Sequence, residues 1–427
     1  MTYQKIKGTQ DFIGLDARKI RFIEETIASC IRNFGYQEIV TPIFEATEVF
    51  VKNVGESTDV VNKEMYTFLD KGGRSITLRP EGTAAVARSF IENKLYADPG
   101  IKKYYYVGPM FRYERPQVGR FRQFSQFGVE VYGKANALLD CDVISSAFDC
   151  FNKLGLRNVV LKINTIGDGV SRANYSKALK DYFAPLINDM CEDCKRRLST
   201  NPLRILDCKV DAGSEAILNA PKLSEFLTEE AKQNFSEVLK CLDNLGIPYV
   251  IDEQLVRGLD YYTETVFEFI ISSDDELNGL AIGGGGKYAN MLNDMAGLDI
   301  PGIGYAFGID RVKMLMEKSG LFDNLVEEID LFIIGLDDES KLLAQKLCYE
   351  LRGNGLITEM DYSTTSLKSQ FKSADRLNAK YIAIIGETER NEGCVMLKNT
   401  KTKEQYKVLI TDLFREITKW EHILMVN

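Results

Sequence analysis

Apolar positions at Ile20, Ile23, Ile27 and Ile31 recur at helical spacing through residues 16–34, and Gly35 ends the run. The strand-like stretch YQEIVTP follows, with Pro42 where a strand leaves or edges a sheet. Residues 77–88, TLRPEGTAAVAR, predict a strand, a Pro-Glu-Gly turn and a helix starting at or near Thr83. Alternation over 111–115 and again over 121–133 predicts two strands joined by Pro-Gln-Val-Gly, a hairpin loop. Helical periodicity over 137–155 leads into the strand NVVLKINTIG. Residues 171–249 are more polar and mostly helical, punctuated by Pro185, Pro202 and Pro221, and strands return at 249–256 and 265–271. The helical stretch therefore reads as an insertion between two sheet-forming halves. From 329 to 417 the texture changes to strand 330–336, helix 339–355, strand 357–362, helix 366–378 and strand 380–387, then two polar strands and a last helix. Alternating units of this length predict a separate α/β domain of about one hundred residues with a mostly parallel sheet.

Composition adjusts this picture in four places. The 427 residues, 45% apolar, suffice for two or three domains. No apolar run nears the roughly 18 residues of a membrane span. The start, MTYQKIKGTQDF, has no signal-type apolar stretch, so no export is expected. Nine scattered cysteines suit reduced thiols in a cytoplasm. Cys191-Glu-Asp-Cys194 and Cys208 sit in the insertion without a fourth Cys or any His nearby, and so read as thiols in preference to a zinc knuckle. The net charge of −9 argues against a uniformly basic nucleic-acid sheath, yet residues 102–122 carry six Lys/Arg against one Glu. Residues 361–415 are mildly basic, with ten Lys/Arg and seven Asp/Glu, compatible with RNA contact. The single histidine, His422, lies near the C-terminus and excludes histidine general bases and His-ligated metals from the main body. The chemistry must run on carboxylates, arginines and a substrate group that is already a nucleophile, with or without Mg²⁺.

Candidate chemistry gathers at residues 109–133. This stretch holds Arg112, Arg115, Arg120 and Arg122, interleaved with Phe111, Phe121, Phe124 and Phe127. A charged, solvated sheet face accounts for an ordinary charge run, but arginines around an aromatic floor suit a nucleotide, whose base stacks while its phosphates are neutralised. Glu81, at the Pro-Glu-Gly turn, either binds an amine or is solvated beside a helix capped by Thr83. Arg257-Gly258 ends a strand and Tyr261-Tyr262 precedes another. Gly283 to Gly286 would let a ligand approach a strand closely, and they do not open a dinucleotide-binding unit. Arg311 falls in the first turns of a helix, facing a site above the sheet or exposed, and taken alone exposure is the expectation.

The motifs KGTQDF, LRPEGTAAVAR, FRYERPQVGRFRQFSQFGVEVYG, LVRGLDYYTETVFE and GIGYAFGIDR, in this order, resemble the class II aminoacyl-tRNA synthetases and, among them, the bacterial histidyl-tRNA synthetase family. The likeness covers the chain almost end to end. Two positions depart from it: the family's Gly-Gly-Arg-Tyr-Asp stands here as Gly-Gly-Lys287-Tyr288-Ala289, and Ser125 takes a place often held by histidine.

The resemblance implies an α+β catalytic domain with an antiparallel sheet over 1–170 and 250–325, a helical insertion over 171–249 and a C-terminal α/β anticodon-binding domain over 326–427. It implies ATP and Mg²⁺, the partners L-histidine and tRNA(His), and a cytoplasmic homodimer, with no membrane attachment, whose contact uses the first helix and strand. Arg257 and Arg112 are the implied catalytic pair, meeting the α-phosphate and the histidine carboxylate. Glu81, Thr83 and Gln126 would hold the α-amino group, and Glu130, Tyr261, Tyr262 and Tyr288 the imidazole. Phe124 and Arg311 would sandwich adenine, Arg120 would bind distal phosphate, and Gln117 and Arg122 would meet the tRNA acceptor end. The Mg²⁺ ligands stay unassigned. A carboxylate attacking phosphorus is ionised at neutral pH and needs no general base, which suits a chain with almost no histidine. A synthetase-like regulatory subunit of ATP phosphoribosyltransferase shares the catalytic fold and is the alternative; the C-terminal domain and the arginine set weigh against it.

Overall fold

The structure is a computed structural model that describes residues 3–55, 58, 60–117, 119–134, 136–206, 208, 210–256, 259, 261–363 and 366–419. Arg257, Gly258 and His422 lie outside the described residues. The chain divides into two compact units, Met1–Asp323 and Asn324–Asn427.

The first unit opens with α1 (Leu15–Asn33), whose residues Ile23, Ile27, Cys30 and Ile31 are buried at the predicted spacing. Then come β1 (Gln37–Glu38), β2 (Phe44–Ala46), α2 (Thr47–Val54), β3 (Tyr66–Leu69), β4 (Ser75–Leu78), α3 (Thr83–Glu92), β5 (Lys102–Phe111), β6 (Gln123–Tyr132), α4 (Ala137–Lys153) and β7 (Val159–Thr165). Helices α5 (Gly169–Phe183), α6 (Glu192–Thr200), α7 (Glu215–Leu218) and α8 (Glu229–Leu245) separate β7 from β8 (Tyr249–Ile251). The unit closes with β9 (Thr263–Ile271), β10 (Ala281–Tyr288), α9 (Met291–Ala296), β11 (Gly302–Gly308) and α10 (Ile309–Lys318).

Eight strands form one sheet in the order β1-β5-β6-β11-β10-β9-β7-β8. Its six central strands are antiparallel throughout, and only the edge strands β1 and β8 pair in parallel. The two-residue alternation of β6 divides its side chains cleanly. Phe127 stacks between Tyr105 and Phe307 at ring separations of 6.0 and 5.0 Å, and Phe151 of α4 packs on Phe307 and Phe269 at 5.0 Å each. Full burial of each such ring contributes about 2–3 kcal/mol, so this aromatic layer anchors α4 to the sheet. Gln126, Gly128 and Glu130 face the other way. Helix α1 packs on α4 and α10 within its own chain.

The hairpin differs from its expected outline. The first strand is Lys102–Phe111 and not 111–115. Past Phe111 the backbone leaves the regular ladder: the Arg112 amide still donates to Arg122 O at 2.9 Å, but the Tyr113 amide turns away to Glu64 O at 2.7 Å. The alternation at 111–115 therefore belongs to a segment bridging two partners.

In the second unit β12 (Leu331–Gly335), α11 (Asp338–Gly353), β13 (Thr358–Met360), α12 (Leu367–Arg376), β14 (Tyr381–Ile385), α13 (Glu387–Glu392), β15 (Cys394–Asn399), β16 (Gln405–Leu409) and α14 (Leu413–Thr418) follow in turn. Its sheet runs β13-β12-β14-β15-β16. The expected mostly parallel sheet is in fact mixed, parallel across β13-β12-β14 and antiparallel across β14-β15-β16. The 386–393 and 400–404 connections are too short for the crossover of a dozen or more residues that parallel pairing needs.

Candidate active site

The turn after β4 brings Glu81 beneath the start of α3, where its carboxylate accepts the backbone N–H groups of Thr83 and Ala84 at 2.7 and 2.9 Å. Glu81 is thus the capping group, taking the helix N-terminal amides that otherwise lack partners. The reading with Thr83 as cap and Glu81 solvated does not hold, because Glu81 is only 3% exposed. Thr83 instead turns its hydroxyl to β6 and donates to Glu130 Oε1 at 2.8 Å.

Glu130 is 1% exposed. Tyr106 donates to its Oε1 at 3.4 Å and Tyr288 to its Oε2. Burial pushes the Glu130 carboxyl up to about 8, against the opposing pull of the Tyr288 and Thr83 hydroxyls. Burial also raises Glu81, while its two amide bonds and Arg112 hold it down. Tyr262 packs on Tyr261 at 4.5 Å with the rings tilted by 48°, and Tyr261 meets Tyr288 edge-on at 5.6 Å, so the three tyrosines expected around one ligand form one wall. Gln126 keeps a buried Oε1 without a hydrogen-bond donor among the described residues. The pocket thus offers two buried carboxylates and an amide oxygen, acceptors suited to a ligand rich in N–H groups.

Glycines allow this crowding. A Cβ on Gly128 would lie 2.3 Å from the Tyr106 ring, and one on Gly304 would lie 2.3 Å from Glu130 Oε2. In the 283–286 run the protein itself comes close: a Cβ on Gly285 would sit 2.0 Å from Gly304 O, and one on Gly286 would sit 2.6 Å from Thr265 O.

A second cluster lies where β5 and β6 run into the hairpin loop. The Arg112 guanidinium stands over the Phe124 ring at 5.5 Å and donates to Pro80 O at 2.8 Å. Glu114 pairs with Arg120 at 3.3 Å and lies 3.7 Å from Arg112. Arg311, on the first turn of α10, is half-buried and not exposed: it donates to Gly119 O at 3.0 Å and to Ala281 O. Burial lowers its affinity for a proton, as do the neighbouring charges of Arg120 and Arg112, while Glu114 and Glu268 offset them. Three guanidiniums thus converge with two carboxylates, Glu114 and Glu268, an excess of positive charge fitted to a polyanion.

Two expected residues stand apart. Arg122 stacks on Tyr113 at 4.0 Å and donates to Glu114 O and Lys7 O, and Gln117 is exposed on the loop. Arg257 lies outside the described residues. Tyr106, absent from the expected set, belongs to the pocket; its signal was a tyrosine standing opposite Gly128 in the β5–β6 register. Lys287, where the family has arginine, is 4% exposed and pairs with Glu264. At Ser125 the backbone amide donates to Asp310 at 2.9 Å and the hydroxyl to Glu24 at 3.4 Å, so a structural contact occupies that place.

A family model described as histidyl-tRNA synthetase matches residues 8–312, and one described as an anticodon binding domain matches 330–420. The histidine–tRNA ligase of Anoxybacillus flavithermus is 45% identical over 425 residues, 99% of this chain and all of that protein. That of Staphylococcus saprophyticus is 47% identical, covering 97% of this chain and 99% of its own. The crystal structure of apo histidyl-tRNA synthetase from S. aureus superposes with a TM-score of 0.84 at 40% identity, covering 97% of this chain and all of that one. With likeness of this depth running through both units, the chain belongs to the histidyl-tRNA synthetase family.

Proposed function

We infer that this chain is a histidine–tRNA ligase, which activates L-histidine with ATP to histidyl-adenylate and transfers the histidyl group to the 3′ end of tRNA(His). The observation that carries the choice of amino acid is Glu130, a buried carboxylate ringed by the Thr83, Tyr106 and Tyr288 hydroxyls. An imidazole titrates near 6.5 and Glu130 near 8, so one proton shared between them replaces the solvation both lose. Glu81, Thr83 and the unpartnered Gln126 Oε1 receive the α-ammonium group, and Tyr261, Tyr262 and Tyr288 enclose the ring. An analogue without the ring N–H would leave Glu130 without that donor, and sites of this kind reject such analogues by roughly 10⁴–10⁵.

In the activating step an oxygen of the histidine carboxylate bonds to the α-phosphorus while the bond to the bridging oxygen of pyrophosphate breaks. Arg112 neutralises the charge gathering on the α-phosphate, and Arg257 joins it on chemical grounds. Phe124 and Arg311 hold adenine between ring and guanidinium, and Arg120 takes the distal phosphates. Glu114 and Glu268 are the carboxylates at this cluster, oxygen ligands of the kind Mg²⁺ prefers. The metal's contribution when bound is to offset charge on the phosphate chain. Gln117 and Arg122, at and beside the hairpin loop, face the acceptor end of the tRNA, and the C-terminal unit reads the anticodon.

We assign the working form as a cytoplasmic homodimer. Ile13, Val40 and Phe44, around α1 and β1, are 81%, 83% and 51% exposed, an apolar surface that a second copy would cover. No helix among the described residues is long and apolar enough to cross a membrane, and all nine cysteines are free thiols.

The test is aminoacylation of a tRNA(His) transcript with labelled histidine, ATP and Mg²⁺. Charged tRNA is expected. Histidine binding without charging would favour the regulatory-subunit reading instead.

A further inference from the structure

Between β7 and β8 the helical segment brings together four groups that lie apart in sequence. The Sγ atoms of Cys191, Cys194 and Cys208 and a carboxylate oxygen of Asp211 all lie within 4.8 Å of one another. Cys194 is fully buried and Cys208 is 4% exposed. Asp211 is the fourth group that a search confined to Cys and His does not find. Counting it, the motif is two equal halves, Cys-x₂-Cys and Cys-x₂-Asp, separated by residues 195–207. That arrangement parallels the paired Cys-x₂-Cys halves of zinc sites.

The distances suit thiol hydrogen bonds within the cluster and suit a tetrahedral metal equally well. Zinc holds sulfur at about 2.3 Å and carboxylate oxygen at about 2.0–2.2 Å, so a tetrahedral site sets sulfurs about 3.8 Å apart and sulfur and oxygen about 3.5 Å apart. Cys191 Sγ and Cys208 Sγ are 3.6 Å apart, and Cys208 Sγ lies 3.5 Å from Asp211 Oδ2. A disulfide would need about 2.05 Å. Backbone amides support the ligand atoms from outside: Cys191 N–H donates to Asp211 Oδ2 at 3.1 Å and Asp211 N–H to Cys208 Sγ at 3.5 Å. Cys191 also stands at the N-cap of the nine-residue α6, whose free amides favour negative charge there.

We propose that Cys191, Cys194, Cys208 and Asp211 form a tetrahedral zinc site that fastens the start of α6 to the 208–211 loop. Three soft thiolates with one carboxylate suit the borderline Zn²⁺ and are poor for Mg²⁺ or Ca²⁺. All four positions are filled by protein, so the ion is structural and takes no part in catalysis. The two halves flank α6 and the Pro202–Ile205 turn, whose Leu203 and Ile205 are buried in the same apolar cluster as Cys194 and Cys208.

The full-length protein, purified without chelator under reducing conditions, is expected to carry one equivalent of zinc by elemental mass spectrometry. After stripping, one equivalent of Co²⁺ should restore thiolate-to-cobalt charge transfer and the strong visible bands of tetrahedral cobalt. Cys194→Ser should abolish both signals, Asp211→Ala should weaken cobalt binding at least ten-fold, and Cys241→Ser should leave both intact. Stripping should also lower the thermal midpoint of wild-type protein, and zinc should restore it. Folded wild-type protein that carries no zinc and gives no cobalt spectrum would overturn the proposal, as would metal retained in Cys194→Ser. A Cys191–Cys208 disulfide in freshly isolated protein would overturn it too.

Discussion

Thr83 Oγ1 donates to Glu130 Oε1 at 2.8 Å, and through this bond the first turn of α3 is fastened to the central strand β6. Because Glu81 caps the same helix turn, the two carboxylates hold a fixed spacing from one backbone element. In the proposed function one receives the ligand's amino group and the other its ring.

Glu130→Gln is therefore expected to lose histidine recognition with little change toward ATP. A hydrogen bond to a charged group contributes about 1.5–3 kcal/mol, so kcat/KM for histidine in pyrophosphate exchange should fall by roughly 10²-fold. The KM for ATP should stay within about two-fold. Unchanged histidine-dependent exchange would remove Glu130 from the site.

The same residue sets a pH dependence in the ligand-free protein. Its carboxyl titrates near 8 when folded, against 4.5 as its reference value. The folded state then binds the extra proton between these values, so Glu130 contributes most below pH 4.5 and its contribution is lost as pH rises through 8. Wild-type protein should lose up to a few kcal/mol of stability across this range, and Glu130→Gln should flatten the slope. Chemical denaturation at several pH values measures both. Saturating histidine should also flatten the wild-type slope, since the ligand supplies a partner for the charge.

Much of this was legible in the sequence, for local reasons. Helix α1, the turn before α3 and strand β6 follow from spacing, and the motif likeness led to the family. What escaped depended on distant neighbours. Arg311 reads as exposed from its own helix, yet Gly119 and Ala281, far away in sequence, half-bury it. Asp211 is an ordinary acid until the fold sets it beside three thiols. The end of β5 shifted because the Tyr113 amide bonds to Glu64, a partner that no alternation reveals. The mixed C-terminal sheet turned on connection length, since strand pattern alone does not distinguish parallel from antiparallel neighbours.

Arg112 links the two halves of the site, from Pro80 O at the Glu81 turn to the Phe124 ring. Arg112→Ala is expected to lower kcat for pyrophosphate exchange by about 10²–10³, the typical cost of removing one preorganised donor to a developing oxyanion. Arg112→Lys should recover little of this, because a single ammonium cannot span the carbonyl, the ring and a phosphate oxygen together. Single-turnover adenylate formation isolates the step. An effect confined to the KM for ATP would make Arg112 a binding residue only.

Lys287 gives the last expectation, and it concerns stability. Its ammonium, nearly without solvent, pairs with Glu264, and its charge also steadies Asp140, whose carboxyl burial pushes up to about 6. Asp140 accepts from Thr265 at 3.1 Å while its other oxygen has no hydrogen-bond partner among the described residues. Lys287→Met removes the one cation named between two acids. Without it Asp140 loses the positive charge that holds its carboxyl down against burial, and breaking a buried pair in this way costs about 3–5 kcal/mol, less here because Glu264 is partly exposed. At pH 5 Asp140 is protonated and the cost shrinks. The thermal midpoint of Lys287→Met should therefore fall further below wild type at pH 8 than at pH 5, and Lys287→Arg should stay near wild type at both. An equal loss at the two pH values would mean that packing of the lysine stem, and not its charge, is what the substitution removes.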